Sequence, residues 1–145
     1  MQVSEILRIK GNRLFVLAPE ASMETAIALM AREDVGSILV AQGTQLLGLL
    51  TFREVLRHQA QHGSGATLIA EVMDATPFTT SPEVDIMSLR AAMLHNHARY
   101  VPVNADGKLI GVLSFHDVAK AVISAQDLEN EALKNYINDV PALRA

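Results

Sequence analysis

The chain has 145 residues and a mass of 15.7 kDa, the size of one ordinary domain or two very small ones. Its net charge of −4 disfavours a dedicated nucleic-acid binder, because phosphate neutralisation requires an excess of Lys and Arg. The absence of cysteine excludes a disulfide framework, a zinc ribbon and thiol chemistry.

We expect a cytoplasmic protein with neither a membrane nor a nucleic-acid partner. No segment approaches the ~20 apolar residues that a membrane-spanning helix requires. The N-terminal residues lack the charged and then apolar pattern of a secretory signal.

The first half of the chain predicts the order strand, helix, strand, strand, helix. The helices are indicated by apolar residues at three- and four-residue spacing, and the strands by short apolar runs between turn signals. Ser22 is a typical helix N-cap, with Glu24 in the first turn. The predicted elements are a strand over 14–17, a helix from Ser22, strands over 37–41 and 46–50, and a helix over 52–59.

The second half of the chain predicts the same order of elements. Asp85 is the expected N-cap of its first helix, and a last helix begins near Phe115. Two strands, over 100–103 and 109–113, flank a hairpin turn. The Gly/Ser-rich segment 62–66 links the two halves.

The two halves are copies of one unit. A shift of 63 residues aligns them without a gap, and twelve of the fifty pairs between 6–55 and 69–118 are identical. A unit of about sixty residues buries so little surface that it is only marginally stable alone. We therefore expect the two copies to pack into one body with pseudo-twofold symmetry and paired clefts.

We place the first repeat at 1–62, the second at 63–125, and a C-terminal amphipathic helix and tail at 126–145. The helix is expected to end near Pro141. Its apolar stripe either folds back on its own chain or packs on a second subunit, and the pattern leaves both open. The stripe consists of Leu128, Ala132, Leu133, Tyr136, Ile137 and Val140.

Each repeat carries the motif Gly-apolar-apolar-Thr/Ser-x-x-acid. A Thr or Ser followed three residues later by an acid is a capping box, which predicts a purely structural role. A helix N-terminus with a hydroxyl also suits a phosphate, and an acid one turn in can accept both hydroxyls of a ribose. The two interpretations do not exclude each other. The motif residues are Gly48, Thr51 and Glu54, and Gly111, Ser114 and Asp117.

These features resemble the CBS-domain pair, or Bateman module, as found in small stand-alone bacterial proteins. The resemblance covers roughly residues 3–123 and is most specific at Arg99-Tyr100-Val101-Pro102-Val103 and the motif that follows. It implies an α/β fold with two tandem β-α-β-β-α repeats, packed with pseudo-twofold symmetry, plus a C-terminal helix.

The resemblance implies a regulatory module for signal transduction that binds an adenine nucleotide between the repeats. AMP, ADP, ATP and NAD are the expected ligands, since each contains adenosine, and no cofactor is required. A separate effector protein would receive the signal. The alternative is a ligand-free dimerisation or scaffold module, in which both motifs are only helix caps.

The resemblance assigns roles to residues near the second motif. Asp117 would hold the ribose hydroxyls, and Ser114 and His116 would lie along the sugar and the phosphates. Arg99 would face the phosphate, with Lys10 near the base. The base would lie beside the backbone of Gly36, Ser37 and Ile38 and the loop that leads to Phe15.

A mirror site would form around the first motif. Glu54 replaces the Asp that the family carries there, and Gly36 stands where the second repeat has Arg99. We therefore expect two unequal sites, with tighter binding at Asp117. The mirror site would use Thr51, Arg53 and Glu54 from the first repeat, and Thr79, Thr80, Tyr100 and Val101 from the second.

We predict neither catalysis nor a metal site. The sequence has no Walker loop, no Cys nucleophile and no nucleophile elbow with a Ser-His-Asp arrangement. The pairs His58/His62 and His95/His97 have spacings that can bind a metal, but neither has an obvious acidic third ligand.

The resemblance also implies a homodimer. The second helix of each repeat would form a flat apolar face that another pair covers, because so much exposed aliphatic surface is unusual for a monomer. The expected face comprises Val55, Leu56, Val118 and Val122, together with Leu133, Tyr136 and Ile137 of the tail.

Overall fold

Each repeat contributes one small sheet to the computed structural model, which describes residues 1–11 and 13–139, with side chains through residue 137. The elements follow the predicted order in the first repeat, with one additional helix at the N-terminus. The strand predicted at the start of the second repeat is wrong over the described residues, where only an isolated bridge between Thr80 and Val103 forms. In chain order the elements are α1 (Val3–Lys10), β1 (Val16–Leu17), α2 (Met23–Glu33), β2 (Ser37–Gln42), β3 (Gln45–Thr51), α3 (Phe52–Ala60), a 3₁₀ turn (Ile69–Glu71), α4 (Ile86–His95), β4 (Tyr100–Ala105), β5 (Lys108–Ser114) and α5 (Phe115–Asp139).

The two sheets repeat the same hairpin. In the first, β1 pairs parallel with β2, and β2 pairs antiparallel with β3. In the second, β4 pairs antiparallel with β5. The register shifts after Val40 in one hairpin and after Val103 in the other, 63 residues later. The predicted α/β class with two tandem repeats and a C-terminal helix is confirmed.

Ser22 and Asp85 are the N-caps of α2 and α4, as predicted. The Ser22 hydroxyl accepts a hydrogen bond from the Thr25 N–H at 3.1 Å, and the Asp85 carboxylate accepts one from the Met87 N–H at 3.0 Å. Each cap satisfies an N–H that has no partner within its helix. The first strand is shorter than predicted, since pairing with β2 covers only Val16–Leu17.

Helix α1, which the sequence patterns do not predict, packs in the core of the second repeat. Val3 is fully buried there, and Ile6 and Leu7 are nearly so. They join a cluster that contains residues of α4, β4, β5 and α5. The Val3 N–H donates to the carbonyl of Val84 at 2.9 Å, which ties the start of α1 to the segment before α4.

The start of the second repeat makes the reciprocal contact. Ile69 is fully buried in the core of the first repeat, among residues of α2, β2 and β3. Its N–H donates to the carbonyl of Ala21 at 2.8 Å, and Ala21 lies 63 residues before Val84. Each core is thus completed by a segment from the other half of the chain.

Helix α5 runs without a break from Phe115 to Asp139, because no Gly or Pro interrupts that stretch. Residues 126–137 are all exposed, so over the described residues the tail does not fold back on its own chain, and that alternative is wrong. The predicted end near Pro141 lies outside the described residues.

The predicted dimer face is wrong in part. Val118 and Val122 point into the core of the second repeat, where they are 0% and 7% exposed, because α5 packs against α4 and α1 through this side. Leu56 and the tail residues Leu133 and Tyr136 are exposed.

We predict that Ile69→Ala destabilises the protein by about 2–5 kcal/mol, because it leaves a cavity in the first core. The neighbouring Leu68 is 42% exposed, so Leu68→Ala is the matched control and should cost about 1 kcal/mol or less. Urea unfolding measures both. Equal losses for the two variants would contradict the role of the exchanged segment.

Candidate functional site

The first motif forms the N-terminus of α3. Thr51 is the N-cap, and its hydroxyl accepts a hydrogen bond from the Arg53 N–H at 3.2 Å. Glu54 Oε1 accepts hydrogen bonds from the Thr51 N–H and the Thr51 hydroxyl, both at 2.8 Å. Glu54 is only 7% exposed, so a carboxylate is held almost buried at this helix end. The capping-box interpretation therefore describes the geometry of the motif.

A cavity of about 650 Å³ opens beside this helix end, within the range of small-molecule sites. Both repeats line it. The first repeat contributes Leu49, Thr51, Phe52, Arg53, Glu54 and Leu56. The remaining lining residues are Asp74, Thr76, Pro77, Phe78, Asn96, His97, Ala98, Arg99 and Tyr100.

Arg99 lies in this cavity with Glu54, so its predicted place beside Asp117 is wrong. The reason is a contact between the repeats. Arg53 Nη2 donates to the carbonyl of His97 at 3.0 Å, which holds the loop before β4 against α3. The loop before β4 therefore brings Arg99 to the cavity beside the first motif.

The other predicted residues of the mirror site divide into two groups. Tyr100 lines the cavity, as expected. Thr80 instead pairs with the backbone of β4, Val101 is fully buried in the second core, and Thr79 is not among the lining residues. Thr76 and Phe78 take their place, slightly earlier in the chain.

Gly36 has a steric role. A Cβ added at Gly36 would overlap the hydroxyl of Tyr100 and come within 2.7 Å of the ring carbon that carries it. Tyr100 thus occupies the space that a side chain at position 36 would need. A counterpart of Arg99 at this position would therefore require the Tyr100 ring to move.

The second motif forms the N-terminus of α5, and here the carboxylate is already engaged. Asp117 Oδ2 accepts hydrogen bonds from the Ser114 N–H at 2.8 Å and from Lys10 Nζ at 2.7 Å. The Ser114 hydroxyl accepts one from the Asp117 N–H at 3.0 Å. Lys10 Nζ also donates to the carbonyl of Val112 at 2.9 Å. The structure thus brings Lys10, Ser114 and Asp117 together, with Lys10 bound to the carboxylate that was expected to hold the ribose.

The other residues expected near Asp117 have differing surroundings. His116 is exposed on the first turn of α5. Ile38 is fully buried, so only its backbone could make a contact, and Ser37 pairs with Thr51 across the β2–β3 hairpin. The guanidinium carbon of Arg13 lies over the ring of Phe15, 4.9 Å from the centroid of that ring.

The environment of Asp117 favours its charged form. Partial burial by itself raises the pKa of this carboxyl, but the hydrogen bond and charge of Lys10 and the hydrogen bonds with Ser114 outweigh it. The pKa of Asp117 therefore lies below its ordinary value of 3.8.

The described residues contain neither a metal cluster nor a membrane-spanning helix. Nowhere among them do three His, Cys, Asp or Glu side chains meet as a metal ion would require. None of the helices in this part of the chain combines enough length with enough apolar character to cross a bilayer.

The duplicated unit matches a known family. The family model of the CBS domain matches residues 3–61 and 69–124. The chain belongs to the CBS-domain family. This CBS pair is 29% identical over 139 residues to the CBS domain-containing protein YhcV of Bacillus subtilis, across 95% of this chain and 96% of that protein.

Solved structures share the fold of this CBS pair. The CBS-domain containing protein ATU1752 from Agrobacterium tumefaciens has a TM-score of 0.79 and 25% identity, over 83% of this chain and 98% of that one. The CBS domain protein PAE2072 from Pyrobaculum aerophilum, solved complexed with AMP, has a TM-score of 0.73 and 22% identity, over 81% and 89% of the two chains.

We predict that Lys10→Met lowers the free energy of unfolding at neutral pH by up to about 1 kcal/mol, since a partly exposed ion pair is lost. Because the folded-state pKa of Asp117 is lowered, the pair contributes stability above pH 3.8 and loses it as pH falls through the folded-state pKa. Urea unfolding of both proteins from pH 7 to pH 3 measures the difference between them.

The difference between wild type and Lys10→Met should therefore shrink at the acid end. Lys108→Met, which removes an exposed lysine at the hairpin end of β5, is the control and should show no such dependence. A difference for Lys10→Met that stays constant with pH would contradict the assignment.

Proposed function

We propose that this CBS pair is a regulatory sensor that binds an adenine nucleotide in the cavity beside Glu54. The observation that carries the proposal is one cavity of about 650 Å³ that is lined by Glu54 of one repeat and Arg99 of the other. A ligand with a ribose diol and a phosphate matches that pair of charges.

Different lining residues suit the ribose, the phosphate and the base of the nucleotide. Glu54 would accept the ribose hydroxyls while it continues to cap α3. Arg53 and Arg99 would neutralise the phosphate, and Phe78 and Tyr100 offer ring surface for the base. A ligand held in this way would contact both repeats, so its affinity would depend on how the two repeats are positioned relative to each other.

AMP is the first ligand to test. The complex of the Pyrobaculum aerophilum protein with AMP supports this choice, because that protein shares the fold. ADP, ATP and NAD contain the same adenosine half, so Glu54 would not distinguish among them.

The second candidate is a ligand-free scaffold. It is favoured by one observation, that both motif acids already accept hydrogen bonds as helix caps. In that case AMP would leave the stability of the protein unchanged. A sensor at 100 times its dissociation constant gains about 2.7 kcal/mol, which a thermal shift detects readily.

We predict that Glu54→Gln weakens AMP binding at least tenfold. Gln retains the capping geometry of the motif but lacks the carboxylate charge, so charge-assisted bonds to the ribose, worth about 1.5–3 kcal/mol each, are lost. A loss of ~1.4 kcal/mol is one decade of affinity. Calorimetric titration with AMP measures it, after unfolding shows the unliganded variant to be stable.

Arg99→Gln is the matched control for this experiment. It should weaken AMP binding but leave the affinity for adenosine, which has no phosphate, nearly unchanged. Glu54→Gln should weaken both ligands alike. Unchanged AMP affinity in Glu54→Gln would reject Glu54 as the ribose acceptor, and the absence of any binding by wild type would favour the scaffold.

We also propose that the chain forms a homodimer through the exposed tail of α5. Leu128, Leu133 and Tyr136 are 65%, 57% and 64% exposed on a helix segment without support from the rest of the described chain. An isolated helix of this length is marginal in water, so a second copy that covers the stripe would stabilise it.

We predict that light scattering at micromolar concentration gives twice the chain mass of 15.7 kDa for wild type and the single mass for Leu133→Asp. A charge in the apolar stripe would have to be buried without a partner on association. Ile9 is 79% exposed on α1, so Ile9→Asp is the control and should stay dimeric. A wild-type monomer would refute the proposal.

A further inference from the structure

This CBS pair has two related clefts that hold different side chains. We call the cavity beside Glu54 the first cleft, and the corresponding place beside Asp117 the second cleft. The shift of 63 residues pairs each position of one cleft with a counterpart in the other. Thr51 and Glu54, which line the open cavity, correspond to Ser114 and Asp117. The Asp117 carboxylate, unlike that of Glu54, is bound by a lysine ammonium at 2.7 Å.

Lys10 reaches two groups of the second cleft. Besides Asp117, its Nζ donates to the carbonyl of Val112 at 2.9 Å. Val112 is the counterpart of Leu49, another residue that lines the open cavity. The side chains of Lys10 and Asp117 are 32% and 21% exposed, so the pair is largely withdrawn from water. The ammonium therefore lies where the first cleft is open.

A second ion pair joins two residues whose counterparts line the open cavity. Arg13 Nη2 lies 2.8 Å from Glu33 Oε2. Their counterparts, Thr76 and Asn96, are uncharged and line the cavity. Arg13 is mostly exposed, so this pair adds little to stability, and it is a further difference in charge between corresponding positions of the two repeats.

The first cleft has no equivalent lysine. The counterpart of Lys10 is Met73, which packs against the core of the first repeat. None of the ion pairs formed among the described residues involves Glu54. One lysine-to-methionine difference thus accompanies the difference between a carboxylate that forms an ion pair and one that forms none among the described residues.

We propose that Lys10 is an internal occupant of the second cleft and limits this CBS pair to one adenine nucleotide per chain. The inference rests on the proposed function at Glu54. A ribose diol in the second cleft would compete with Lys10 for the Asp117 carboxylate, whose Oδ2 already accepts hydrogen bonds from Lys10 Nζ and the Ser114 N–H. Displacing Lys10 would leave the ammonium or the Val112 carbonyl without its present partner, which costs free energy in a partly buried site.

The decisive variant is Lys10→Met, which gives the second cleft the residue of the first. Native mass spectrometry and calorimetry with AMP should give one AMP per chain for wild type and two for Lys10→Met. Lys108→Met removes the same charge from the far end of β5 and should keep one. In the Lys10→Met background, Asp117→Asn should remove the second AMP again.

Adenosine is titrated in parallel, because it carries no charge and its binding is insensitive to the general loss of a cation. Two AMP per wild-type chain would overturn the inference and leave the proposed function intact. One AMP per folded Lys10→Met chain would overturn it as well. If Lys10→Met does not fold, Lys10→Gln is measured in its place against the same expectation. No AMP or adenosine on any variant would reject the proposed function itself.

Discussion

The structure depends on the reciprocal exchange of two short segments between the repeats. Val3 completes the second core and Ile69 completes the first, each through a buried side chain and a backbone hydrogen bond. A unit of about sixty residues buries too little apolar surface alone, and the exchange gives each core residues that its own repeat lacks. Because neither core is complete without the other half of the chain, the repeats should unfold together rather than one after the other.

The exchange also determines the chemistry of the clefts. It carries Lys10, the last residue of α1, across to the second motif, while the first motif receives the loop that contains Arg99. Both motif acids accept hydrogen bonds at a helix N-terminus, so a ligand bound at either one would share that carboxylate with the cap. The surroundings of the two acids differ, since Asp117 is paired with a lysine and Glu54 lines a cavity that two arginines also line.

Local patterns in the sequence predict much of the fold. The N-caps Ser22 and Asp85, the hairpins and the duplication all depend on residues within one element or on a constant offset. Helix α1 is missed because its apolar residues make sense only against a core more than seventy residues away. Arg99 is misplaced for a similar reason, since the Arg53–His97 contact that positions its loop joins different repeats.

The overlap between Gly36 and Tyr100 constrains how this sequence can change. A side chain at position 36 is incompatible with the present Tyr100 ring, so the two positions are coupled and their substitutions are not independent. A larger residue at position 36 therefore requires the Tyr100 ring to move or to be replaced by a smaller side chain. The tolerance of position 36 is thus determined by a residue of the other repeat, and the two halves of the duplication cannot vary independently at this point.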